Sequence, residues 1–374
     1  METNNNQRNI IIYFFILSIL TIGGNITLGS VTQPQQSIST DTQKIKIEVD
    51  EKNIQIFNNP TEKDDSLLKN LEPVWIDAFN TRYIQRPSNF GNLYMSNIYP
   101  KYDLVAYIYN KKPISMLTLI PCYINNNGTK IEGYYVFAVG TKKEYQGQGL
   151  ATDILKYAKE YAKKNNKLFC VLIPTEDEDK IEKLMNFYRN RNYEDIYLRE
   201  ISLSKKDMED LAKDSNCMNY TLGIDAADLK KARFQNLSSN TIYIEWDETE
   251  LQSIRQEYLR NHHKIYEELW FEDNQYAIVD IGTDYKSIKD EKWQKIRIEE
   301  FYIKDENKKM FLKTIMNRYP SENYIFSVPD SDIFSNSFEK EYSRKIFPMI
   351  NFIDSPKSFT QQRQKPIYFK FGME

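Results

Sequence analysis

Histidine and cysteine are scarce in this chain of 374 residues. There are two histidines, the neighbours His262 and His263, and three cysteines, Cys122, Cys170 and Cys217. Two adjacent imidazoles exclude a multi-histidine metal centre. The cysteines are odd in number and widely spaced, with no C-x-x-C pair and no zinc pattern. Cys122 and Cys170 sit in apolar runs and read as buried thiols. A Ser-His-Asp mechanism would have to use His262 or His263, and no nucleophile elbow occurs. Glycine (12) and proline (13) are also few. No block of lysine and arginine stands out, and the net charge is −3 with a pI of about 5.8. The electrostatic footprint of a nucleic-acid binder is therefore missing.

What is present is the composition of a globular protein, 41% hydrophobic and 28% charged, long enough for two domains. Tyr (27) and Phe (20) supply ample apolar area for cores. Arg8 precedes an apolar run from Ile10 to Ile22, the length of a signal-peptide core and short for a membrane span. Counted over residues 9–28, it makes a marginal span. Residues 1–29 are thus expected to be an export signal or membrane anchor, with a buried N-terminal helix as the alternative, and the body to be membrane-associated or exported. A cytoplasmic body is the other placement compatible with the sequence. Residues 30–50 are Gln/Ser/Thr-rich and read as a linker. The four N-x-S/T sequons, at Asn25, Asn127, Asn219 and Asn236, are what an Asn-rich chain contains by chance.

Leu67–Ile84 has helical spacing. Asp103–Asn110 and Ile114–Ile124 are β-rich runs around a turn at Asn110-Lys111-Lys112-Pro113. Gly133–Gly140 is a continuous apolar strand, the pattern of burial on both faces. The loop Gln146-Gly147-Gln148-Gly149-Leu150-Ala151 follows, then a helix over Leu150–Lys164, a buried strand over Leu168–Ile173, and a helix opened by the acidic run Glu176–Asp179.

A loop running from a strand into a helix N-terminus bares backbone N–H groups, and those donors with the helix dipole make an anion site. Gly147, Gly149 and the small Ala151 let the backbone approach a diphosphate closely. The Gly-Lys-Ser/Thr of a Walker loop and the Gly-x-Gly-x-x-Gly of a dinucleotide fold are both lacking. Val139–Tyr193 resembles the GCN5-related N-acetyltransferases (GNATs), whose motif is Gln/Arg-x-x-Gly-x-Gly/Ala. Gln146, Gly149 and Ala151 fall on those positions. Phe187-Tyr188 falls on the family's Phe-Tyr…Gly-Phe ending, closed here by Asn192-Tyr193, where Asn tolerates the left-handed turn, and Ile181 and Leu184 stand where the family often has Asn and Ala. The resemblance implies the GNAT fold, a mostly antiparallel mixed α/β sheet flanked by helices. It implies acetyl-CoA as donor substrate without a metal, and a primary amine on a small molecule or peptide as acceptor. Ala138, Val139 and Gly140 would meet the pantetheine. Gln146, Gly147, Gln148, Gly149, Leu150, Ala151 and Thr152 would hold the diphosphate. Tyr188 would protonate the leaving thiolate, and Glu132 stands where some relatives keep a general base.

Residues 204–240 are polar and read as a connection. Beyond them the order repeats: a helical stretch over Glu248–Trp270, strands over Gln275–Gly282 and Lys295–Lys304, a helix over Glu306–Tyr319, a strand over Tyr324–Val328 and a helix over Ser335–Lys345. Where the first half has its glycine loop, the second has Asp305-Glu306-Asn307, which would repel a diphosphate. This is the pattern of a tandem GNAT with a degenerate second copy, similar to the group of the enhanced intracellular survival protein. That resemblance implies that the carboxylates of Glu374 reach the first site as a base. The expected organisation is a donor-binding domain over 51–203, a connection over 204–240 and a degenerate domain over 241–374. The competing expectation is a GNAT-fold binding or scaffold protein without turnover.

Overall fold

The structure is a computed structural model. It describes residues 44–58, 65–79, 101–126, 128–174, 178–237, 242–260, 266–281, 295–329, 342–353 and 367–368. The expected anchor at 9–28 and Glu374 lie outside these residues. No helix among the described residues is long and apolar enough to cross a membrane.

The first half runs β1 (Ile54–Phe57), α1 (Asp65–Phe79), β2 (Asp103–Tyr109), β3 (Lys112–Asn126), β4 (Thr129–Thr141), α2 (Leu150–Lys164), β5 (Phe169–Leu172), α3 (Glu178–Arg189) and β6 (Glu194–Ser204). β2 and β3 are joined at Asn110 and Lys111, both at positive φ (48° and 63°), the two-residue turn whose twist matches a hairpin. Strands β1 to β4 pair antiparallel in order, and β5 joins β4 in parallel. Both faces of this sheet are covered, which explains the unbroken apolarity of β4. Tyr134 and Val136 pack with Leu150, Ile154 and Ala158 of α2. Tyr135 and Phe137 pack on the other face with Val74 and Trp75 of α1.

The second half runs α4 (Lys205–Leu211), β7 (Thr221–Leu222), α5 (Ala226–Leu237), β8 (Ile242–Glu245), α6 (Glu248–Arg260), β9 (Tyr266–Phe271), β10 (Gln275–Asp280), β11 (Ile296–Tyr302), α7 (Lys308–Arg318), β12 (Asn323–Pro329), β13 (Tyr342–Phe352) and β14 (Ile367–Tyr368). Its β10, β11, α7 and β12 repeat β3, β4, α2 and β5, down to a parallel pair three residues long between β11 and β12.

The strands of the described residues belong to one sheet, with the path β1-β2-β3-β4-β5-β13-β6-β12-β11-β10-β9-β7, and with β8 paired to β3 and β14 to β8 off this path. The halves are joined by exchange. β13, from the second half, pairs antiparallel with β5, while β6, from the first, pairs antiparallel with β12. β6 and β13 then pair with each other at the centre. Each half therefore completes the other's sheet.

Three sequence expectations are corrected here. The polar stretch 204–240 carries two helices. One begins at a capping box between Ser204 and Asp207, and the other buries Leu229 and Ala232. The helix expected over Glu248–Trp270 ends by Arg260, and Tyr266–Trp270 is strand, with Tyr266, Glu268 and Leu269 buried against β10 and its neighbours. The helix expected over Ser335–Lys345 is contradicted at its end, because Tyr342–Lys345 opens β13. Pro348 disguises that strand in the sequence. It stands between Ile346 and Met349, where the pairing register with β6 slips, so its missing N–H costs no ladder bond.

Candidate functional site

β4 and β5 stay paired only from Gly133 to Tyr135, opposite Phe169 to Val171. Beyond Tyr135, β4 continues to Thr141 with β3 alone as its strand partner. Along this free run the ladder to β3 breaks. Met116 faces Gly140 and Thr118 faces Phe137, so Ala138 and Val139 together oppose Leu117. Ala138 takes a φ of +55°, which a residue with a Cβ adopts at a cost. The break is a β-bulge that re-aims the peptides at 138–139 away from the ladder. It is braced on both sides. Ser115 Oγ, buried, donates to Gly140 O at 2.9 Å and lies 2.8 Å from Thr141 Oγ1. α1 packs so closely that a Cβ on Gly140 would come within 2.7 Å of Ala78 Cβ.

The chain then turns through a short 3-10 helix (Lys143–Tyr145) into the glycine loop. Gln146 Nε2 donates to Thr141 O at 2.9 Å and closes this turn. Gly147 and Gly149 hold φ of 84° and 90°, the left-handed region that glycine enters freely. Gly149 is the N-cap of α2 and offers no side-chain cap. The N–H groups of Thr152 and Asp153 turn back to Gly149 O, at 2.8 and 3.1 Å. Among the described residues no hydrogen bond uses the N–H groups of Gln148, Gly149, Leu150 or Ala151. Nothing lies within 4 Å of where a Gly149 Cβ would stand. Bare donors at the positive end of a helix of 15 residues, with open space before them, fit an anionic group. The helix is well founded: Leu150, Ile154, Leu155, Ala158 and Ala162 form its buried stripe, and Lys163 and Lys164 occupy its last turn.

α3 packs on the same face of the sheet as α2. Tyr188 is buried there between Phe187 and Tyr193, with ring centroids 5.1 and 5.6 Å away. Burial pushes its phenol well above the ordinary tyrosine value. Asn192, at φ 64°, supplies the left-handed turn that ends α3, with Tyr193 N donating to Tyr188 O at 3.2 Å. Asn351 of the exchanged strand β13 donates its amide to Arg191 O and Asn192 O, so the second half caps the helix that carries Tyr188.

Ala138–Gly140, the bare loop donors and the first turn of α2 follow one another along the chain, joined by the turn that Gln146 closes. Other residues have different employment. The Thr152 hydroxyl accepts from the Arg191 guanidinium, at 3.1 Å from Nε. The Gln148 side chain binds backbone rather than facing the loop's open side: Oε1 accepts from Ile47 N at 2.9 Å and Nε2 donates to Ile45 O at 2.6 Å. Glu132, the expected base, has a partner of its own. Its carboxylate is ion-paired with Lys167, whose ammonium also lies over the Tyr134 ring, at the end of β4 remote from the bulge. In the second half, Lys304 N and Asn307 Nδ2 both donate to Gln275 Oε1, at 2.8 and 3.1 Å, and Lys308 pairs with Asp305 at 2.7 Å. That turn is acidic and tied shut where the first is bare.

Arg191 and the strap at Lys44–Ile47 were missed by the sequence reading. Arg191 lies in a polar stretch after a helix, and its link to Thr152, 39 residues away, leaves no periodic trace.

Residues 68–196 match the family model of an acetyltransferase (GNAT) domain. No curated protein matches the chain in sequence. Several solved structures share its fold. A probable N-acyltransferase from Enterococcus faecalis V583 is 14% identical, with a TM-score of 0.60 over 80% of this chain and 72% of that one. A GCN5-related N-acetyltransferase from Kribbella flavida is 12% identical, with a TM-score of 0.59 over 81% and 72%. Eis1 from Mycobacterium abscessus is 9% identical, with a TM-score of 0.56 over 80% and 74%.

Proposed function

We propose that the chain, whose residues 68–196 match the model of an acetyltransferase (GNAT) domain, moves an acetyl group from acetyl-CoA to a primary amine by direct transfer. The observation that carries this reading is the set of unused N–H groups at the N-terminus of α2, continuous with the bulged free run of β4. The loop from Gln148 to Ala151 holds the diphosphate of the donor substrate. The bulge at Ala138–Val139 offers peptide groups to the pantetheine, and a peptide N–H near Val139 polarises the thioester carbonyl. The amine nitrogen bonds to that carbon, and the C–S bond breaks. Tyr188 gives its phenolic proton to the thiolate. The amine's own proton passes to water or a carboxylate, for which Glu132 and Glu374 are our candidates.

Thiol release from acetyl-CoA with a panel of amines tests this. At least one amine should be turned over, and Tyr188→Phe should lower kcat on the order of 100-fold with little change in KM for acetyl-CoA. Removal of Glu374 should lower kcat as well. Because burial raises the Tyr188 pKa, the phenol stays protonated through the alkaline range, so Tyr188 should give wild-type kcat no falling limb between about pH 7 and 10. Binding of acetyl-CoA with no turnover on any amine would favour a binding protein instead. An unchanged kcat in Tyr188→Phe would remove the tyrosine from the mechanism.

A further inference from the structure

Lys44 lies outside the residues matched by the GNAT model, 68–196, yet it stands at the glycine loop. A Cβ built on Gly147 would meet Lys44 Nζ at 3.4 Å. Among the described residues no ion pair uses this ammonium. An exposed lysine ordinarily roams, but the strap that carries this one is held. Ile45 N donates to Glu144 O at 2.9 Å, and the Gln148 amide accepts from Ile47 N and donates to Ile45 O. The side chain thereby imitates a neighbouring β-strand, taking one N–H and giving to one C=O of the same segment. Ile47 is buried among the residues that pack under α2. Farther along, Asp50 N donates to the buried Tyr107 hydroxyl at 2.9 Å. The strap thus fixes the backbone next to Lys44 and leaves its charge beside bare donors that already favour an anion.

We propose that Lys44 is a binding residue for the diphosphate of the donor substrate, and that Gln148 is a positioning residue that fastens Lys44 to the loop. This rests on the donor reading given above. The site is then assembled from two chain segments about a hundred residues apart. Gln148 serves it twice, by its own N–H and by the strap its side chain holds. Ordering the strap before the ligand arrives removes part of the entropic cost of recruiting a lysine.

The test is calorimetric titration of the full chain with CoA and with 3′-dephospho-CoA. Lys44→Ala should weaken both ligands about 10-fold, one charge-assisted contact, and Lys44→Arg should restore most of the loss. The deficit should shrink between about 0.05 and 0.5 M salt as screening replaces the lost charge. Gln148→Ala should produce a loss of the same order, and the double variant should be little worse than Gln148→Ala alone. Lys46→Ala, on the same strap, should bind like wild type. A Lys44→Ala variant equal to wild type overturns the inference and leaves the donor reading standing. A loss confined to CoA assigns Lys44 to the 3′-phosphate and overturns the diphosphate assignment. A wild-type chain that binds neither ligand overturns the donor reading and this inference with it.

Discussion

Gly149→Val should lower the affinity for acetyl-CoA about 100-fold while the fold survives. The backbone at Gly149 sits at φ 90°, where a β-branched residue is strongly disfavoured. Nothing lies within 4 Å of the added Cβ, so the expected effect lies in rotating the peptides around residue 149. On the proposed reading, that rotation withdraws the donors that would hold the diphosphate. Two lost charge-assisted hydrogen bonds at about 1.5 kcal/mol each give the expected factor. Gly128→Val supplies the control. Gly128 has φ 83° and an equally open site, but it lies in the β3–β4 turn, where its N–H donates to Asn125 Oδ1 at 3.0 Å. It should share the strain and keep the affinity. Equal affinity losses in both variants would show that general loosening, and not the loop's donors, sets the binding.

Arg233→Met should produce the largest loss of stability. Arg233 and Glu300 are an ion pair at 2.8 Å with side chains 3% and 2% exposed, and the Tyr276 hydroxyl donates to the same carboxylate at 2.8 Å. Removing the guanidinium strands a buried carboxylate, which costs about 3–5 kcal/mol. For a chain of this size that is on the order of 10 °C in thermal midpoint. Arg233→Met combined with Glu300→Gln removes the stranded charge and keeps an acceptor for Tyr276, so it should recover most of the loss. Calorimetric unfolding of the three proteins measures this. A single variant within about 1 kcal/mol of wild type would mean that water reaches the pair.

Patterns of short range were readable in the sequence. The apolar period of α2, the turn at Asn110-Lys111, the buried run of β4 and the Gln/Gly loop are each specified by neighbouring residues, and each stands where it was expected. Asn192 was readable for the same reason: a left-handed helix end is set locally. What was not readable depends on distant partners. Tyr266–Trp270 continues a helical pattern in the sequence, and pairing with β10 and β7 makes it strand. β13 was hidden by Pro348, whose place at a bulge is fixed by β6. The strap at Lys44–Ile47 has a linker's composition and owes its order to Gln148, about a hundred residues onward. In the same way the pairing of Glu132 with Lys167 left no trace in the sequence.

Calorimetric stoichiometry tests the account most directly. Titration of the full chain with acetyl-CoA should show saturable binding at one site per chain, weakened about 100-fold by Gly149→Val. That is what one bare glycine loop and one closed acidic turn predict. Two equivalent sites, or no saturable heat at millimolar acetyl-CoA, would contradict it.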